Sequence, residues 1–319
     1  MIETRSNIKR LIINSLKFFG VSVALYGSFI LLFSHIHINQ TPAVYRVVKG
    51  LVWKGGYTLP RFANFNEDYP YDILVFGSST ANRGIHPGIF AKKGLKAYNL
   101  GTDDQTPLNT EVLVKHYVQK SKPKLIILDI YDRVFCQSPY ESAADFIQNG
   151  NSQTAACKMA IQLGDLRTIN MLSVRLATQN LSPLTPATDS LINGFRPLKE
   201  RIKDFSPDNY RYQRDEEQLH AFEKTLQFLK EKGIPVVLTI QPKPLFYLEE
   251  NRQDFMKDIA PILEKYDAPL VQLSMTDSGL EMGDFADMSH LNKYGAEKYT
   301  SALMDKMMNG KLMAESREE

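Results

Sequence analysis

The stretch that most constrains this chain is Tyr71 to Arg83, which reads Tyr-Asp-Ile-Leu-Val-Phe-Gly-Ser-Ser-Thr-Ala-Asn-Arg. An apolar run that stops at turn residues is the pattern of a buried strand. The lack of polar alternation suits a parallel sheet covered on both faces. In an open α/β sheet, the loop after such a strand lies at the carboxyl edge, where ligands bind. Gly77 lets the backbone turn sharply there. Ser78 and Ser79 therefore stand either at a reactive edge or simply at the cap of the next helix.

A second stretch near the other end bears on that choice. Residues 283–299 read Gly-Asp-Phe-Ala-Asp-Met-Ser-His-Leu-Asn-Lys-Tyr-Gly-Ala-Glu-Lys-Tyr. Asp287 and His290 are three apart, just before an amphipathic run. A serine nucleophile needs a base to take its proton, and the base needs an acid to fix its tautomer.

Gly77-Ser78-Ser79 after a strand, with Asp287-x-x-His290-Leu-Asn near the C-terminus, resembles the SGNH (GDSL-like) hydrolase superfamily. The resemblance covers roughly residues 70–305. It implies Ser79 as nucleophile, His290 as base and Asp287 as acid, with Ser78 and Asp284 as the alternatives. It also implies an oxyanion hole from the backbone N–H groups of Ser79 and Gly101, although Gly101 read locally is an ordinary turn glycine. Many members carry Gly-x-Asn after the third strand, where the Asn is a further oxyanion donor. This chain has Ile130-Tyr131-Asp132 instead. One lost donor costs about 10²–10³ in rate. No cofactor and no metal are implied.

The 319 residues, 43% hydrophobic and 23% charged, are enough for one large domain and an appendage. A net charge of +2 gives no electrostatic case for nucleic acid. The histidines are scattered, and no Cys/His cluster has the spacing of a zinc site. His86 and His116 have no motif partner. Cys136 and Cys157 read as buried thiols, or as a disulfide if the domain lies outside the cytoplasm.

Residues 1–38 carry Arg5, Lys9, Arg10 and Lys17 ahead of the uncharged run Phe18 to Phe33. Extended to Ile38, this run reaches about the 20 residues that span a bilayer. The basic flank predicts an uncleaved signal anchor at the cytoplasmic membrane, single-pass, with the N-terminus inside and the remainder extracytoplasmic. A cleaved signal peptide and a buried helix are the rivals. Residues 39–70 are a connector broken by Gly55, Gly56, Pro60 and Pro70, with a short helix at Val44–Trp53 or a plain linker.

Residues 71–308 form the expected catalytic domain, with an insertion at about 138–212 and a charged tail at 309–319. Strands are predicted at 71–77, 96–101, 124–131, 234–240 and 269–274, and helices at 106–120, 140–148, 153–176, 215–232, 249–266 and 292–308. Alternation of strand and helix predicts a doubly wound, five-stranded parallel α/β sheet, the flavodoxin-like arrangement that the resemblance also implies. The insertion is either a substrate wall or a solvated loop. Asn82, Asp132 and Lys243, near the carboxyl edge, are candidates for contacting substrate, although Lys243 also reads as a solvated side chain.

An anchored SGNH-like domain outside the membrane is similar to accessory proteins of cell-envelope polymers. Among these are alginate and peptidoglycan O-acetyltransferases and the D-alanyl transfer protein of teichoic acids, whose Gly-Ser-Ser variant this chain shares. The resemblance implies addition or removal of O-acyl groups on an envelope glycan, beside a multipass membrane acyltransferase. A small-ester hydrolase or lipase is the second expectation. A catalytically silent glycan-binding protein is the third.

Overall fold

The computed structural model describes residues 2–39, 41–47, 56–178, 191–202, 210–244 and 249–310. Parts of the predicted Val44–Trp53 helix, the 138–212 insertion and the C-terminal tail fall outside the described residues.

The sheet has five parallel strands: β1 (Ile73–Gly77), β2 (Ala97–Asn99), β3 (Leu125–Asp129), β4 (Val236–Ile240) and β5 (Leu270–Gln272). Their order is β2-β1-β3-β4-β5, so the chain winds one way from β1 and then back past it. Pairing sets Gly77 opposite Asp129 at the carboxyl edge. Because strand side chains alternate between faces, each strand feeds two cores. Leu74, Phe76, Ile126, Leu128, Leu238 and Ile240 pack into the larger one. Ile73, Val75, Leu125, Ile127, Val237 and Val271 pack into the smaller one.

Helices cover both faces, as continuous apolar strands require. The first is α1 (Ile2–His35), followed at the reactive edge by the short α2 (Ser79–Gly84). Next come α3 (Pro107–Ser121), α4 (Tyr140–Asn149), α5 (Gln153–Leu163) and α6 (Leu166–Thr178). Further along are α7 (Glu216–Glu231), α8 (Glu249–Tyr266) and α9 (Lys293–Asn309), and shorter helices lie at Val44–Val47, Thr58–Ala63 and Pro87–Ala91. α7 and α9 start at side-chain caps, Asp215 and Asn292, each accepting two backbone N–H groups of the first turn.

One helical expectation is corrected. The span 153–176 is two helices rather than one, because Gly164 adopts a left-handed C-cap (φ +59°) that ends α5. Cys136 and Cys157 are both free and half-buried. Among the described residues one helix, Ser6–His35, is long and apolar enough to cross a membrane.

Candidate active site

The site begins with a steric constraint. Gly77 ends β1 with φ +141°, and a Cβ there would lie 2.5 Å from the Asp129 carbonyl oxygen. Only glycine fits, so the chain leaves the strand in a tight turn. Ser78 then occupies the N-cap position of α2, but its side chain makes no cap hydrogen bond. Ser79 is the first helical residue, and its side chain is held at the edge, 6% exposed.

The Ser79 hydroxyl lies 2.7 Å from His290 Nε2. His290 Nδ1 lies 2.9 and 2.8 Å from the two Asp287 oxygens. A carboxylate can only accept, so Nδ1 carries the proton and bare Nε2 faces the serine. Burial works against the Asp287 charge. The His290 contact and the N–H groups of Ser289 and His290 outweigh it and hold that carboxyl down to about 2. Burial pushes His290 below its ordinary value. Asp287 pulls it back, while Arg83 and Lys243 add to the depression. A neutral imidazole with this orientation can take a proton from the serine hydroxyl.

The alternatives stand elsewhere. Ser78 is fully buried, and His290 Nε2 contacts Ser79. Asp284 accepts from Lys298 Nζ at 2.7 Å and from the Glu281 N–H at 2.9 Å, whereas Asp287 holds the imidazole.

The expected oxyanion partner Gly101 is engaged. Its N–H donates to Asn99 Oδ1 at 3.0 Å, while Asn99 Nδ2 donates to the Ala81 and Ile85 carbonyls. Gly101 instead permits close packing, since a Cβ would lie 2.9 Å from that of Ala81. The hydroxyl of Tyr131 stands beside those of Ser78 and Ser79. Burial raises its pKa, so it stays protonated as a donor.

Two of the three substrate-contact candidates are buried, and the third is engaged with the catalytic loop. Asn82 is fully buried and donates to Asp103 Oδ1 at 2.9 Å. Asp132, 3% exposed, accepts the Arg133 N–H at 2.9 Å. Lys243 is partly exposed and engaged: Nζ donates to the Ser289 carbonyl at 3.0 Å and lies 4.4 Å from the Tyr131 ring centre. It thus pins the loop that carries Asp287 and His290. Burial pushes its pKa down, opposed by Asp129, Asp132 and Asp287.

Further residues belong to the site that the sequence reading did not single out. Arg83 Nη1 is 3.2 and 3.1 Å from the two ring nitrogens of His290, and Nη2 pairs with Asp103 at 2.9 Å. Both in-plane directions of the ring nitrogens are taken by Asp287 and Ser79, so the near-equal distances put the guanidinium over the ring face. Arg196 also reaches Asp103, at 3.3 Å. Beneath Ser79, the buried Asp129 accepts from the Thr80 hydroxyl and from Gln241 Nε2 at 2.9 Å. Burial drives its carboxyl up to about 6, against those two hydrogen bonds. Arg83 was visible inside the opening motif. Asp129 and Tyr131 were visible only as residues at the end of a strand. Among the described residues no group of three His, Cys, Asp or Glu side chains could hold a metal ion.

No protein-family model and no curated protein matches the sequence. Solved structures similar to this one include an acylhydrolase, described as putative, from Bacteroides fragilis. It has 14% identity and a TM-score of 0.42, with 81% of this chain and 99% of that one covered. A GDSL-like lipase from Bacteroides thetaiotaomicron has 12% identity and a TM-score of 0.41, covering 80% and 98%. The esterase EstA from Pseudoalteromonas has 10% identity and a TM-score of 0.39, covering 75% and 98%.

Proposed function

We propose that this chain is a membrane-anchored serine acyl-transfer enzyme of the SGNH type, working outside the cytoplasmic membrane on O-acyl groups of an envelope glycan. The observation that carries the chemistry is the line Ser79 Oγ–His290 Nε2–His290 Nδ1–Asp287, with contacts of 2.7 and 2.8 Å. Ser79 Oγ bonds to the ester carbonyl carbon as its proton passes to His290 Nε2. His290 then gives that proton to the leaving oxygen as the C–O bond breaks, which leaves an acyl-Ser79 ester. Water or a glycan hydroxyl takes the acyl group by the same route in reverse. Asp287 holds the tautomer. The Ser79 N–H and the Tyr131 hydroxyl serve the oxyanion in this reading, since the Gly101 N–H is already given to Asn99.

The cationic flank before the apolar part of α1 supports an inward N-terminus and an outward domain. The glycan acceptor and a multipass acyltransferase partner rest on the Gly-Ser-Ser resemblance together with this anchoring. With water as acceptor, the same residues make a small-ester hydrolase. The engaged Gly101 N–H is the observation that favours a silent glycan-binding role.

Fluorophosphonate labelling of the full chain in detergent tests the proposal. Labelling of the wild type that is lost in both Ser79→Ala and His290→Ala is the expected result. A folded wild type that does not label sinks the enzyme reading and leaves glycan binding. For a labelling enzyme, an added glycan acceptor that raises acyl release above simple hydrolysis of p-nitrophenyl acetate separates transfer from hydrolysis.

A further inference from the structure

The His290 ring is held in its own plane by Asp287 at one nitrogen and Ser79 at the other. Two in-plane contacts leave the ring free to tilt about the line that joins them. The contact that removes this freedom is Arg83 Nη1, which lies over the ring face at 3.2 and 3.1 Å from the two nitrogens. A guanidinium is a poor neighbour for a base that must become an imidazolium, because like charges repel. Something has to hold it there.

Asp103, in the loop after β2, is placed to do so. Its Oδ1 accepts from Arg83 Nη2 and from Asn82 Nδ2, each at 2.9 Å. Its Oδ2 accepts from Arg196 Nη1 at 3.3 Å. Asn82 is fully buried, and the Arg83 and Arg196 side chains are only 15% and 22% exposed. The other charged groups near Asp103 are Arg61, which favours its carboxylate form, and Asp104 and Asp145, which it repels. Glu141 and Arg133 act in turn on Asp104. The groups that face His290 are Asp287, Arg83 and Lys243.

Arg196 is itself fixed, because residues 191–202 touch each part of the site in turn. The Asn193 carbonyl accepts the Asn99 N–H of β2 at 2.9 Å. The Arg196 N–H donates to the Asn82 carbonyl of α2 at 2.7 Å, and its guanidinium lies 3.7 Å from the Tyr57 ring centre. The Leu198 carbonyl accepts the Lys293 N–H at 2.8 Å, and the Ile202 N–H donates to the Phe285 carbonyl at 2.9 Å. This segment is thus bonded to the edge strand, to the serine helix and to both sides of the loop that carries His290.

We infer that Asp103 is a positioning residue: it keeps Arg83 over the His290 ring, and so holds the imidazole upright between Asp287 and Ser79. A cation that cannot retreat also keeps the ring a free base. The inference rests on reading Ser79, His290 and Asp287 as the reactive triad. Removing Asp103 has two effects of opposite sign. Loss of its negative charge makes the imidazolium less favourable. Release of Arg83, which can then withdraw to solvent as the ring takes a proton, makes it more favourable. Arg83 is the nearer group, at 3.1 Å with Asp103 behind it, so the second effect is the larger.

The test uses the full chain in detergent. Asp103→Ala removes the carboxylate. Asp103→Ser, whose hydroxyl can still serve Asn82 but is one atom shorter, takes its place where the first variant does not fold. His290 is titrated by NMR in protein carrying ring-13C histidine, its signal identified by loss in His290→Ala. The acidic limb of kcat/KM for p-nitrophenyl acetate is followed alongside. Asp103→Ala should move both the His290 midpoint and the limb to higher pH, by at least half the displacement that Arg83→Gln gives. Adding Asp103→Ala to Arg83→Gln should move neither any higher. A midpoint that moves to lower pH overturns the inference, since the carboxylate then acts only through its own charge. Displacements that add overturn it, since Asp103 then works without Arg83. A lower Tm with an unmoved midpoint makes Asp103 a structural residue only and overturns it as well. In a wild type that labels at Ser79, any of these three results sinks the inference alone. A wild type that neither hydrolyses the ester nor labels brings down the triad reading, and the inference with it.

Discussion

Replacing Asp129 by asparagine should stabilise the protein increasingly as pH rises. Asp129 is 3% exposed, and its carboxyl is driven from 3.8 up to about 6 by burial. Below both values the folded and unfolded chains are equally protonated, and the residue costs nothing. As pH rises through 3.8, the unfolded chain releases its proton while the folded chain keeps it, so the folded state loses ground until about pH 6. Each tenfold in proton affinity is about 1.4 kcal/mol. The wild type therefore carries a deficit of about 1 kcal/mol at pH 4.5 and about 3 kcal/mol at pH 7.5. The amide does not titrate. Its Oδ1 can still accept from Gln241, and the Thr80 hydroxyl can turn to accept from its Nδ2. Any cost of that rearrangement is independent of pH, so the change between the two pH values isolates the charge. At about 2–4 °C per kcal/mol, the difference in Tm between variant and wild type should widen by roughly 4–8 °C from pH 4.5 to 7.5. Thermal unfolding by circular dichroism in detergent reads this directly. A difference that is flat, or that narrows as pH rises, refutes the reasoning.

Tyr131→Phe keeps the ring that Lys243 covers and removes only the hydroxyl. Hydrolysis of p-nitrophenyl acetate should fall by about 10²–10³ in kcat, with KM little changed; an unaltered kcat removes Tyr131 from the oxyanion hole. Arg83→Gln takes a positive charge off the His290 ring. The His290 pKa should rise, moving the acidic limb of kcat/KM to higher pH, while Arg83→Lys should leave the limb nearer its original place. A limb that moves the other way contradicts the stacked geometry. Gly77→Ala combines a φ that alanine rarely adopts with a 2.5 Å clash against the Asp129 carbonyl. A loss of about 3 kcal/mol or more is expected in denaturant unfolding, and near-wild-type stability would mean the turn is not fixed as described.

Local signals in the sequence carried far for the sheet. The runs 73–76, 125–128 and 236–238 are continuous apolar stretches, and their length and the turn residues beyond them separate them from helices. α7 was readable because Leu219, Phe222, Leu226 and Leu229 repeat on one face, with Asp215 before them and Gly233 after. The split between α5 and α6 was harder. Gly164 lies in an otherwise periodic apolar stretch, and a lone glycine does not declare its own φ. At the site, the three-residue spacing of Asp287 and His290 is local and legible. The engagement of Asn82, Asp132 and Lys243 with other residues is not, because it depends on partners distant in the chain. Asn82 reaches Asp103 across 21 positions, and Lys243 reaches Ser289 across 46. The loss of the Gly101 N–H to a side chain two residues back is close in sequence, but it follows from a rotamer that no spacing records.

Ser79 and His290 are 211 positions apart along the chain. The serine precedes four of the five sheet strands along the chain, and the imidazole follows all five. A chain cut before Asp287 would contain the full set of strands and the serine turn, yet hold an unactivated hydroxyl. Reactivity at Ser79 is therefore a property of the finished molecule. In the anchored reading proposed above, this delay keeps the serine inert while its domain is still being threaded across. Covalent tagging of that one oxygen would then count the molecules that have both arrived and closed.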